Sequence, residues 1–116
     1  MLPKSKRLNL KTDFKHMIGG KFINSKYAKL YLRMGDNHPP IGGPKIGIAT
    51  SSKIFKKAVD RNRARRLISA AIEPLYGRLP LNINILALPK ISILSVKSGD
   101  ILINLEQVLI HDKIIS

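Results

Sequence analysis

The chain has 116 residues, enough for one domain, and carries 21 Lys and Arg against 7 Asp and Glu, a formal charge of +14. At 44% hydrophobic residues it can bury a core, and the absence of cysteine excludes disulfides and thiolate metal sites and fits a reducing cytoplasm. No run approaches the roughly 18 apolar residues of a membrane span. The basic N-terminus, Met1 to Arg7, lacks the apolar stretch of a secretory signal, and His16, His38 and His111 stand at no metal-ligand spacing.

A first short helix is predicted around Thr12-Asp13-Phe14-Lys15-His16-Met17-Ile18. Thr12 suits the N-cap, Asp13 the first turn, and Gly19-Gly20 the end. Phe14, Met17 and Ile18 share a face at helical spacing. Residues 28–34 alternate as a strand, with Leu30, Leu32 and Met34 on one side and Lys29, Tyr31 and Arg33 on the other. A Pro/Gly connection over 35–44 leads to a second strand over 45–50. A long helix is expected from about Lys57 to Glu73. Ala64, Leu67, Ile68, Ala71 and Ile72 form its buried stripe, Asn62, Arg66, Ser69 and Glu73 lie opposite, and Arg61 projects closer to the apolar side. Pro74 would clash with the carbonyl of Ala70 and end or kink that helix. A third strand over 81–88 is stopped by Pro89. A last helix opens at Lys97-Ser98-Gly99-Asp100, with Ile101, Leu102, Leu105, Val108 and Leu109 inward. The expected fold is α+β, a single domain over 1–116 in the order α-β-β-α-β-α, with one small sheet covered by helices.

The charge is unevenly placed. Residues 1–66 hold seventeen Lys and Arg against three acids, whereas residues 67–116 balance four against four. Such self-repulsion is tolerated chiefly for a polyanionic partner. Between Lys53 and Arg66 there are seven cations (Lys53, Lys56, Lys57, Arg61, Arg63, Arg65, Arg66) and a single acid, Asp60. Several fall in the first turns of the long helix, the end where the macrodipole already places positive charge. An arriving phosphate backbone would meet both the cations and the free amides there. Arginine dominates the helical part, which suits bidentate phosphate contact and stacking on bases. The plainer reading is a solvated charged face.

The run Lys57-Ala58-Val59-Asp60-Arg61-Asn62-Arg63-Ala64-Arg65-Arg66-Leu67-Ile68 resembles the Arg-Asn-Arg signature helix of the bacterial ribonuclease P protein family. Arg7-Leu8 followed by Asp13-Phe14 is similar to that family's N-terminal signature, and Ile46-Gly47-Ile48 leading to Lys53 to its second strand. Ile83 to Pro89, with a Leu-spaced helix after a gap, is similar to its C-terminal part. The resemblance implies a compact α/β sandwich in which a parallel strand pair is joined by a left-handed crossover. It implies no catalytic protein residue: the catalytic partner is a large RNA that removes the 5′ leader of precursor tRNA with magnesium ions it holds itself. Arg61, Asn62, Arg63, Arg65 and Arg66 would contact that RNA, with Lys53, Lys56 and Lys57 beside them. Phe14, Ile18, Lys29, Tyr31 and Arg33 would line the cleft for the leader. Two departures stand out. Ile18 occupies the place where the family usually has a second aromatic, and the loop 51–57 lacks the family's usual glycine and is one residue longer.

The residue pattern agrees on the cleft, since Lys29, Tyr31 and Arg33 form a stacking ring between two cations, a way of holding single strands without sequence preference. Alternatively Tyr31 merely covers a solvent-facing sheet side, and Phe14 anchors the first helix in the core. A ribosomal or other structural RNA-binding protein would also fit the size and charge. A self-sufficient nuclease would need clustered carboxylates for magnesium or a His acid/base pair, and the seven acids are dispersed. No helix-turn-helix pattern points to DNA, and no lipid-facing amphipathic helix accompanies the charge to point to a membrane.

Overall fold

The computed structural model describes residues 7–8, 14–15, 17–34, 44–80 and 82–115. The expected cap at Thr12 and Asp13, the loop over 35–43 and Leu81 lie outside them. Phe14, Lys15, Met17 and Ile18 are helical and belong to a first helix, α1. The amide of Gly20 closes it on the carbonyl of Met17 at 3.0 Å. Then follow β1 (Lys21–Asn24), β2 (Ala28–Met34), β3 (Lys45–Ile48), α2 (Ala58–Ile72), β4 (Ile83–Pro89) and α3 (Ser98–His111). Short 3₁₀ turns cover Glu73–Arg78 and Ile91–Ser95.

The sheet order is β1-β2-β4-β3, antiparallel except for the parallel pair β3–β4. Parallel neighbours need a crossover, and α2 supplies it, as the family resemblance implies. The α+β class and the sheet covered by helices are as expected, but β1 is an additional strand. Only Ile23 of its four residues is buried, too little for a period to show. The turn from β1 to β2 is built on Ser25, whose hydroxyl donates to the Ala28 carbonyl and accepts from the Ala28 amide at 3.1 Å.

One sheet face carries the main core. Leu30, Leu32, Ile46, Ile83, Ile85 and Ala87 pack against Ala64, Ile68, Ala71 and Ile72 of α2 and Ile101, Leu105 and Leu109 of α3. Leu67, Leu102 and Val108, expected inside, are half-buried at the margin. Ser69, expected on the polar side of α2, is buried, because α3 and the 91–95 turn both pack on α2 and widen its covered face. Pro74 ends α2 as expected: the chain passes into the 73–78 turn. There the Tyr76 hydroxyl donates to the Pro44 carbonyl at 2.6 Å, and burial raises the pKa of that phenol. Helix α3 opens with the Lys97 amide donating to the Asp100 carboxylate at 3.2 Å.

The opposite sheet face has a second, smaller cluster of Leu8, Met17 and Leu86, flanked by Tyr31, Ala49 and Leu88. Among the described residues of α1, Met17 is the buried one and anchors the helix to the sheet. Phe14 is 37% and Ile18 39% exposed, so the reading of Phe14 as a core anchor does not hold. Helix α1 reaches β1 through Gly20, where a Cβ would stand 2.5 Å from the carbonyl oxygen of Leu32. Gly20→Ala must displace β2 backbone or α1, a steric conflict worth about 1–3 kcal/mol. Urea unfolding should show that loss as a lower midpoint with unchanged slope.

Candidate nucleic-acid interface

The expected cations divide by what they touch. Loop 51–57 is a built turn in which the Ser51 carbonyl accepts from the amides of Ile54 (3.2 Å) and Phe55 (2.8 Å). The Lys53 amide donates to the Ser51 hydroxyl at 3.1 Å. Phe55, which the sequence reading passed over, is fully buried and pins the loop to the main core. Arg61 reaches back from the first turns of α2 and donates to the carbonyls of Phe55 (2.8 Å) and Lys56 (3.4 Å). Arg65 donates to the hydroxyl of Thr50 at 3.0 Å and to the side-chain oxygen of Asn62. Arg61 and Arg65 are thus half-buried braces between α2 and the segment before it.

Lys53, Lys56, Lys57, Asn62, Arg63 and Arg66 are exposed. The ion pairs Lys21–Asp112 (3.7 Å) and Arg78–Glu106 lie elsewhere, and among the described residues no acid pairs with any of the seven cations from Lys53 to Arg66. The N-cap of α2 is Lys57, whose side chain makes no capping bond. The first amides of the helix and the cations therefore face solvent together.

Beside this surface the second sheet face forms a cleft of about 320 Å³, lined by Phe14 of α1, Lys29 of β2, Ala49 to Ser51, Ile54, and Leu88 to Lys90. Of the five expected cleft residues, Phe14 and Lys29 meet in it. Tyr31 lies on the same face but is half-buried against the Leu8–Met17–Leu86 cluster. Its ring contacts Phe22 at 5.1 Å between centroids, tilted by 44°. Arg33 is half-buried and makes a contact of its own, in register with Asn84, which in turn pairs with Lys45. Ile18 is exposed on α1 and does not line the cleft.

Three contributors escaped the sequence reading. Phe22, 48% exposed, was hidden because β1 went unrecognised; once Lys21–Asn24 is paired with β2, its register with Tyr31 follows directly. Ile54 and Phe55 sit in a loop without periodicity, where nothing in the sequence distinguishes the inward from the outward residue.

The cation braces yield a test of roles. Arg61→Ala leaves the Phe55 carbonyl without its charged donor, at a cost of about 1.5–3 kcal/mol. Arg66→Ala removes only an exposed side chain and should shift stability within ~0.5 kcal/mol. Thermal melts of the two variants should separate accordingly.

Among the described residues no three His, Cys, Asp or Glu side chains gather as metal ligands, and no helix is long and apolar enough to cross a membrane. Fold and site together define a small basic α+β protein with a cation-rich ridge beside an apolar, aromatic-walled cleft. The sequence profile of the Ribonuclease P family matches residues 2–111, and the chain belongs to that family. It is 38% identical over 80 residues to the ribonuclease P protein component of Microcystis aeruginosa, covering 67% of this chain and 66% of the relative. It is also 38% identical over 72 residues to that of Nitrosomonas eutropha, covering 60% and 57%. The alignments thus span less than two-thirds of these relatives' lengths. The fold matches the RNase P protein of Staphylococcus aureus with a TM-score of 0.78 at 21% identity, over 97% of this chain and 100% of that one. For the RNase P protein of Thermotoga maritima, solved in complex with 1-(4-fluorophenyl)-2-thiourea, the TM-score is 0.73 at 23% identity, over 89% and 96%. A ribosomal or other structural RNA-binding role is not favoured by this membership.

Proposed function

We propose that this chain is the protein subunit of a ribonuclease P holoenzyme, which binds the catalytic RNA and the 5′ leader of precursor tRNA during tRNA 5′ maturation in the cytoplasm. The observation that carries the reading is the unneutralised row of exposed cations, Lys53, Lys56, Lys57, Arg63 and Arg66, on a braced loop and helix. Phosphate groups of the catalytic RNA are the partners such a row suits. Arg61 and Arg65 hold that surface in shape, and Asn62 is held in turn by Arg65. The leader runs over the adjoining sheet face, past Phe14, Lys29, Tyr31 and Arg33, with Ile18 at the margin and Phe22 extending the Tyr31 platform. Neither DNA nor a membrane is a partner in this reading.

Catalysis belongs to the RNA subunit, and so does magnesium. Among the described residues no three His, Cys, Asp or Glu side chains gather as a site for the ion. Protein cations lower the repulsion between leader and catalytic RNA, an effect that matters most when divalent ions are scarce.

The purified chain should leave precursor tRNA intact, and should stimulate cleavage by a bacterial ribonuclease P RNA at low magnesium. Cleavage by RNA-free protein would overturn the reading. In the same system, the double variant Arg63→Ala/Arg66→Ala should bind the RNA with a shallower log–log salt dependence, by up to ~0.9 unit per lost duplex-like contact. Tyr31→Ala should cost roughly 1–3 kcal/mol of leader binding by lost stacking, and Tyr31→Phe should be near neutral. The readout is the ratio of precursor to mature tRNA affinity of the folded holoenzyme; a lower melting temperature with an unchanged ratio would return Tyr31 to a purely structural role.

A further inference from the structure

We propose that the outer face of α3 docks a second copy of this chain, the two helices packing antiparallel about a two-fold axis near Gln107. The inference does not depend on the RNA partners proposed above. Ile103 and Ile110 are 57% and 45% exposed, and Gln107 between them is exposed as well. Spacing of i, i+4, i+7 puts all three on one stripe, the pattern of a helix–helix seam with a polar residue at its centre. At the C-terminal end of that stripe, Leu79, Pro80, Ile110, Ile114 and Ile115 line a hollow of about 510 Å³, rimmed by Arg78 and Lys113. Lys113 stands there with φ 60°, the left-handed conformation in which glycine usually closes a helix. A cationic side chain is thus kept where glycine would be less strained.

A second copy fits this face in shape and in charge. An isologous contact needs a patch complementary to itself. Antiparallel packing about Gln107 turns Ile103 of each copy toward the hollow at the C-terminal end of the other's α3. It also sets the two Gln107 amides together, each with a donor and an acceptor for the other. Helix α3 holds Asp100 and Glu106 and neither Lys nor Arg. Asp100, in its first turn, comes opposite the end where the other copy presents Lys113, with Arg78 beside it holding Glu106 of its own chain. The helix dipoles oppose each other in the same arrangement. The excess charge of +14 falls within residues 1–66, so a contact through α3 lets two strongly cationic chains meet across a net-neutral segment. The sheet lies between α3 and the cleft, and pairing leaves both clefts open. One pair of 14-residue helices buries less than a standard interface, so the association is weak and depends on concentration.

The test is sedimentation equilibrium of the full, nuclease-treated chain from about 1 μM to 1 mM, the range in which a small interface assembles. The average mass should rise from 12.9 kDa toward twice that value. Raising salt from about 0.1 to 1 M should tighten the pair, because the Debye length falls from about 10 to 3 Å and screens the repulsion between the two chains. Ile103→Lys should weaken association by at least about 10-fold by burying an unpaired charge, and Ile103→Leu should keep it. Gln107→Glu and Gln107→Lys should each weaken it through like charges at the axis, and an equal mixture of the two should associate more tightly than either alone. All four positions of change are exposed, so melts should match wild type. A chain that stays monomeric to 1 mM overturns the proposal. Association that dissolves in 1 M salt is bridging by a polyanion and overturns it too. Association unchanged by Ile103→Lys lies on another face, and a mixture no tighter than its parts removes the axis from Gln107; either result overturns the packing.

Discussion

Strand β4 carries apolar side chains on both faces: Ile83, Ile85 and Ala87 point toward α2 and α3, and Leu86 and Leu88 the other way. A strand of that kind must be covered twice, because one exposed apolar face on a central strand forfeits burial worth about 1.5–3 kcal/mol per large side chain. Two helices complete the first cover. The second is incomplete: the small cluster centred on Leu86 is closed by Leu8 and Met17, while Leu88, Ala49 and Pro89 remain the lining of an open cleft. The cleft is thus what remains when a helix whose buried side chain, among the described residues, is Met17 lies on an apolar face wider than itself.

The parallel β3–β4 pair has a second consequence, since its crossover must begin with a segment that leaves the sheet end and enters α2. That segment is loop 51–57. It connects the rim of the cleft to the N-terminus of the basic helix, so the cleft and the cation-rich ridge share a boundary at Thr50 and Ser51. Arg65, bridging Thr50 and Asn62, ties one surface to the other directly. The excess charge falls within residues 1–66, while the net-neutral remainder supplies α3 and β4 of the core.

Much of this was legible in the sequence wherever periodicity was long. The bounds of β2 match the expected ones, and α2, β4 and α3 fall within about two residues of them. The failures have physical causes. A four-residue edge strand with one inward side chain leaves no pattern, which hid β1 and with it Phe22. Helical projection placed the cations of α2 on faces but could not show that a long guanidinium stem folds back: Arg61 and Arg65 are spent on carbonyl and hydroxyl acceptors, not turned outward. Ser69 was placed on the polar side because projection of a lone helix ignores what packs on it from two directions. In loop 51–57, the choice of Phe55 to go inward and Ile54 to go outward is tertiary, made by the space beneath the sheet end.

The bridge between Arg7 and Ile46, with the Leu8 amide donating to the Ile46 carbonyl at 3.1 Å, lies along the outer edge of β3. An open edge offers unpaired amides and carbonyls to any passing strand, and is a common route to aggregation. At the other margin β1 is only four residues long and starts with Lys21. The same arginine-bearing segment that resembles a family signature therefore also guards the sheet. Trimming it would bare β3 and open a path to intermolecular strand pairing, a liability of storage and expression that is separate from any loss of RNA affinity.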